Sequence, residues 1–197
     1  KTEAFYQAAL PYGESAARAL VEYHVNNGGI SRYAKFERFL TTILGQATPN
    51  PSELEALLAR YARLVKEGLA GCEVAEGLTE LRELMADSTW LVVSGGDQAE
   101  LRTLFRDRGL DGLFDGGIFG SPDTKDEILA RELDSGRIRQ PAVFLGDSQY
   151  DFEAAQRAGL DFFFLSAWSE SAYHFNGADR KLAAIRDLVS EGREPAS

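Results

Sequence analysis

Apolar positions along the chain fall into two regimes, and the change comes near Gly71. Before it they recur at helical spacing, which predicts helices over 14–26, 31 to about 45, and 51–67. The third has the clearest start: Asn50 can cap it, Pro51 fits the first helical position, and Glu53 suits the first turn. Leu54, Leu57, Leu58, Tyr61, Leu64 and Val65 then share one face, a stripe that needs other helices to cover it. Asn26-Asn27-Gly28-Gly29 supplies a turn between the first two helices, with Ile30-Ser31-Arg32 behind it.

After Gly71, short apolar runs at 90–93, 117–119, 142–145 and 162–165 alternate with amphipathic stretches at 78–85, 98–108, 125–133, 152–158 and 181–189. Parallel strands joined by right-handed helical crossovers produce that alternation. The pattern predicts an α/β domain with a doubly wound parallel sheet over 73–197, a helical domain over 1–72, and a polar tail in the last six residues. Ligands of such sheets bind beyond the carboxyl ends of the strands, so the residues that follow each run are the ones to read for chemistry.

With 197 residues, 44% of them hydrophobic and 26% charged, the chain is not disordered and can build a sizeable core. A net charge of −10 argues against a broad nucleic-acid surface and means that an anionic ligand needs local compensation. No apolar run reaches the roughly 18 residues of a membrane span, so no membrane partner is expected. The single cysteine, Cys72, excludes an internal disulfide and a cysteine-built zinc site, and suits a reducing cytoplasm.

Three strand-end segments carry candidate chemistry. After the first run come Ser94-Gly95-Gly96 and then Asp97, where a hydroxyl and flexible backbone N–H groups can approach an anion at a helix start. The same residues also make an ordinary strand-to-helix turn. Gly120-Ser121-Pro122-Asp123-Thr124-Lys125 opens a helix with a lysine, electrostatically misplaced in a first turn unless it has an acidic or anionic partner. Lys125 either folds back toward the strand ends or is solvated among Asp123, Asp126 and Glu127. Gly146-Asp147-Ser148-Gln149-Tyr150-Asp151 places two carboxylates near one point, where they repel unless a cation or proton separates them; hard oxygen donors of this kind suit magnesium. Asp147, Ser148 and Asp151 would equally serve as helix-cap and first-turn residues.

In their order and spacing these segments resemble the haloacid dehalogenase-like superfamily, in its branch with a helical cap such as beta-phosphoglucomutase and phosphoglycolate phosphatase. The resemblance covers nearly the whole chain. It implies that Ser94 is the hydroxyl of the second motif, Lys125 the lysine of the third, and Asp147 with Asp151 the acidic pair of the fourth, Gly-Asp-Ser-x-x-Asp. It also implies that 1–72 is the cap, with 28–32 a loop facing the active site, and 73–197 the α/β core. The implied activity is phosphoryl transfer through an aspartyl-phosphate. In that scheme Asp147 holds Mg2+, Lys125 adds positive charge, Ser94 and the Gly95 N–H bond the transferring oxygens, and Asp151 orients the metal cluster. Arg32 would grip a distal anionic group of the substrate.

The family's first motif, Asp-x-Asp-x-Thr/Val with the nucleophilic aspartate, is not among these residues. The chain opens Lys1-Thr2-Glu3 where such a protein would already be entering its cap, with 1–11 as the first cap helix. The expectation is therefore about fifteen to twenty-five further residues upstream, one strand and its loop. On this reading the chain belongs to a phosphatase of small phosphorylated metabolites, sugar or hydroxy-acid phosphates. A phosphomutase, or a binding domain without a nucleophile, fits the same residues. His24 and His174 have no metal-ligand pattern around them and read as structural; Trp90, Phe114, Phe119, Phe144 and 162–164 read as core. Trp168 and Tyr173 fall in a long polar loop.

Overall fold

The structure, a computed structural model, describes residues 1–169 and 178–192 and divides the chain into two compact units, Lys1–Cys72 and Glu73–Ser197. His174, Tyr173 and the polar tail beyond 192 lie outside the described residues.

The first unit is helical: α1 (Thr2–Ala9), α2 (Glu14–Asn26), α3 (Arg32–Arg38) and α4 (Pro51–Ala70), with a π-helical turn over Phe39–Ile43 extending α3. Ser31 starts α3 by accepting the Ala34 N–H at 3.3 Å. Asn50 starts α4 by accepting from Ser52 and Glu53, as its position before Pro51 predicts. The stripe on α4 meets the other helices in one apolar core that includes Phe5, Leu20, Phe36, Phe39, Leu57 and Tyr61.

That core also contains a histidine and a lysine. Lys35 is 1% exposed, and its Nζ donates to His24 Nδ1 at 2.7 Å, while the His24 ring lies 4.4 Å from Phe5. Burial, helped by the Lys35 charge, pushes the His24 imidazole down to about 3, so it stays neutral as an acceptor. The unfolded chain protonates this side chain below pH 6.5 while the folded chain does not until about pH 3. Stability therefore falls with pH across that window. From pH 7 to pH 5 the wild type should lose about 2 kcal/mol more than His24→Gln, which keeps an acceptor but does not titrate. Urea unfolding at the two pH values measures this; equal losses would refute the assignment.

The second unit runs α5 (Leu78–Leu84), β1 (Leu91–Asp97), α6 (Gln98–Asp107), β2 (Gly117–Ser121), α7 (Lys125–Asp134), β3 (Val143–Gly146), α8 (Gln149–Arg157), β4 (Asp161–Leu165), β5 (Arg180–Leu182) and α9 (Ile185–Gly192). All strand pairings among the described residues are parallel. β1 pairs with β2, Val92 opposite Ile118; β3 pairs with β4, Phe144 opposite Phe162; and β4 pairs with β5, Leu165 opposite Leu182. These make two sheets, ordered β1-β2 and β3-β4-β5, so β1 and β3 each stand at the end of a sheet. β2 is almost wholly buried, but every residue of β1 is half-buried. Val93 of β1 and Phe144 of β3 nonetheless pack into one apolar cluster with Leu129, Ala154, Phe162 and Phe164.

The sequence expectation of a helix over 181–189 needs correction. Arg180–Leu182 pairs with β4, and α9 starts only at Ile185 because the Asp187 carboxylate accepts the N–H groups of Ala183 and Ala184. Likewise α8 starts three residues earlier than 152, because Ser148 and Asp151 form a reciprocal cap. Of the expected core aromatics, Phe119, Phe162 and Phe164 are buried, while Trp90, Phe114, Phe144 and Phe163 are half-buried; Trp168, expected in a polar loop, is exposed. Among the described residues no helix is long and apolar enough to cross a membrane.

Candidate active site

The ends of β1 and β2 are tied together at their carboxyl edge. Ser94 Oγ accepts the Gly96 N–H at 3.0 Å, which closes the turn and leaves the hydroxyl hydrogen to donate. Ser121 Oγ donates to the Gly95 carbonyl at 3.0 Å, and the Gly120 N–H reaches Gln98 Oε1 at 3.3 Å. A Cβ on Gly120 would strike the Gly96 carbonyl, so only glycine lets these two strand ends come so close. Asp97 caps α6 by accepting the Glu100 N–H at 3.0 Å.

From β2 the chain turns through Thr124, which forms a capping box with Glu127 and sets the start of α7. Its first residue, Lys125, is only 6% exposed, and its ammonium is ion-paired with Asp151 rather than with the nearby Asp123, Asp126 or Glu127. This is the partner that a lysine in a first turn requires.

Asp151 is the hub. One carboxylate oxygen meets Lys125; the other accepts from Ser148 Oγ at 2.6 Å, Ser148 N at 3.1 Å and Asp147 N at 3.3 Å. Burial alone would push this carboxyl up, but the Lys125 ammonium, with the hydrogen bonds from Lys125, Ser148 and Asp147, holds it below the ordinary aspartate value. Asp151 is therefore ionised, and the cation that neutralises it is the lysine itself.

The approach of β3 to α8 depends on Gly146, where a Cβ would stand 2.5 Å from Asp151 Cβ and 2.9 Å from Phe162 Cε2. Gly146→Ala is expected to displace Asp151 and to cost about 1–3 kcal/mol. Chemical unfolding measures this, and an unchanged midpoint would show that the strand end can yield.

The Lys125 ammonium and the Asp147 backbone N–H thus meet at the Asp151 carboxylate. Ser94 stands at the end of the adjoining strand pair, joined to it through the Gly95–Ser121 hydrogen bond. Arg32 belongs to the helical unit, where it is 6% exposed and its guanidinium carbon lies 5.2 Å from the Tyr61 ring centroid. Sequence reasoning missed Phe144 and Tyr150, whose rings face the Lys125 ammonium at 5.8 and 5.7 Å. An apolar run does not reveal which of its rings meets a charge, though the place of Tyr150 inside the acidic hexapeptide was a usable hint. Among the described residues no three His, Cys, Asp or Glu side chains form a ready metal cluster.

No family model matches the sequence, and neither does any curated protein. Solved structures do match its fold. A predicted phosphoglycolate phosphatase from Haemophilus somnus aligns over 95% of this chain and 91% of its own, with a TM-score of 0.69 at 16% identity. A haloacid dehalogenase-like family hydrolase from Streptococcus pneumoniae aligns over 96% and 88%, with a TM-score of 0.65 at 16% identity. CbbY from Rhodobacter sphaeroides, solved in complex with phosphate, aligns over 95% and 88%, with a TM-score of 0.66 at 22% identity. The chain shares the α/β fold of the haloacid dehalogenase-like phosphatases, as its three motifs lead one to expect.

Proposed function

We propose that this chain carries most of the active site of a magnesium-dependent phosphatase acting on a small phosphorylated metabolite in the cytoplasm, a sugar or hydroxy-acid phosphate. The observation that carries this reading is the buried Lys125–Asp151 pair at the carboxyl ends of parallel strands, with the Asp147 N–H bonded to Asp151 and the Ser94 turn tied, through Gly95 and Ser121, to the strand end that leads into Lys125. A structural ion pair would not need to lie where an α/β sheet binds its ligands.

The nucleophile is assigned to an aspartate upstream of Lys1, on a strand lying between β1 and β3. Two features support that place: both strands end their sheets, and β1 is half-exposed along its length although parallel strands are ordinarily covered. In the reaction, a carboxylate oxygen of that aspartate attacks phosphorus, the bond from phosphorus to the ester oxygen breaks, and the departing alkoxide takes a proton. Water then hydrolyses the aspartyl-phosphate and releases inorganic phosphate. Ser94 donates its hydroxyl, and Gly95 its N–H, to the transferring oxygens, which fixes the phosphoryl group before charge develops on it. Lys125 neutralises one of these oxygens, and Asp151 keeps its ammonium in place. Asp147 offers a hard carboxylate donor that, with the upstream carboxylate, would hold Mg2+; the ion would supply screening of the repulsion between nucleophile and phosphate. Residues 1–72 act as the cap that selects the substrate, with Arg32 assigned to its second anionic group.

The test is phosphate release by the native full-length protein from a panel of phosphate monoesters, with magnesium and with a chelator. Release that requires magnesium is expected. Binding of the esters without turnover would overturn the reading in favour of a binding domain, and transfer to another hydroxyl would make the protein a mutase.

A further inference from the structure

Lys125 is held by more than Asp151. Its Nζ lies over the Phe144 ring at 5.8 Å from the centroid and over the Tyr150 ring at 5.7 Å. Phe144 comes from β3, and Tyr150 is the second residue of α8. Tyr150 is itself pinned. Its hydroxyl donates to Asp126 Oδ2 at 3.0 Å, and Arg157 grips the same carboxylate with Nε at 2.6 Å from Oδ1 and a terminal nitrogen at 3.1 Å from Oδ2. Asp126 neighbours Lys125 on α7, and Arg157 closes α8, so the bridge locks the two helices at the point where the lysine crosses between them.

We propose that Tyr150 and Phe144 are positioning residues for Lys125: two aromatic faces hold its ammonium beside Asp151 without placing a second negative charge where a phosphoryl group would bind. A carboxylate in either position would hold the lysine as well, but it would repel the incoming anion. A ring face attracts a cation through its quadrupole and remains neutral. The Tyr150 phenol stays neutral over the working range, since burial, with the bond to Asp126, pushes it up to about 12. Arg157, by its hydrogen bond, holds Asp126 below the usual aspartate value, so the acceptor that pins the ring is charged. With its hydroxyl committed to Asp126, Tyr150 is not a proton donor to substrate.

This inference rests on the phosphatase reading for its role but not for its geometry, and the experiment separates the two. On lysine-labelled protein, NMR reads the ring-current displacement of the Lys125 ε-methylene, and titration with inorganic phosphate on the same samples reads anion affinity. Tyr150→Leu should lose roughly half of the displacement, because the two rings lie at nearly equal distance, and should weaken phosphate binding about 2- to 30-fold. Tyr150→Phe, which keeps the face and loses only the bond to Asp126, should retain the displacement. Phe144→Leu should repeat the loss from the other ring and carries the test if Tyr150→Leu does not fold. A wild-type shift in Tyr150→Leu or Phe144→Leu, or a Tyr150→Phe variant as impaired as Tyr150→Leu, would overturn the positioning role. If the native protein binds no phosphate but the displacements behave as stated, the clamp stands and the phosphatase reading fails.

Discussion

Lys125→Met is expected to destabilise the fold by about 3–5 kcal/mol and to abolish phosphate release, because it removes the only cation paired with the buried Asp151 carboxylate among the described contacts. Methionine fills the volume of the lysine stem, so the loss is of charge rather than of packing. Asp151 would keep its bonds from Ser148 and Asp147, which do not offset an uncompensated buried charge. The pH dependence identifies the cause. In the wild type the Asp151 carboxyl is depressed relative to the unfolded chain, so the pair's contribution is fully present above the unfolded value near 3.8 and is lost as pH falls through the lower folded value. The gap between wild type and variant should therefore be widest near neutrality and narrow in acid. Chemical unfolding across that range checks it; a constant gap would mean that the lysine matters for packing instead.

Asp147→Asn should separate chemistry from stability. The side chain is half-buried at a strand end, and asparagine matches its shape, so stability should shift by less than about 1 kcal/mol. Phosphate release should fall by on the order of a hundredfold or more, and the response to added magnesium should vanish, because a neutral amide neither holds the cation firmly nor screens a nucleophile. Turnover and magnesium titrations on the native protein, beside a thermal melt, measure both. Unchanged turnover with an unchanged magnesium response would remove Asp147 from the site.

The contrast between these two variants follows from what the sequence made legible. Lys125 could be picked out because a cation in a first helical turn opposes the backbone dipole, yet only the fold shows that its partner is Asp151 rather than one of three nearer acids. The Asn50-Pro51 start, the α4 stripe and the strand runs could be read because each follows from local backbone preference and burial. β5 could not: Arg180-Lys181-Leu182 has no apolar run, and its extension comes from pairing with β4. Nor could the aromatic clamp, since Phe144 and Tyr150 reach the lysine from two elements whose juxtaposition is tertiary. The buried His24–Lys35 pair was equally silent, because helical periodicity does not say which polar residues a core will enclose.

The most direct measurement is a crystal structure of the native protein grown with magnesium and inorganic phosphate. A phosphate bonded to both the Lys125 ammonium and the Ser94 hydroxyl, beside a metal ligated by Asp147, is the predicted result. Phosphate seated elsewhere, with Lys125 still closed on Asp151 and no metal at Asp147, would contradict the account.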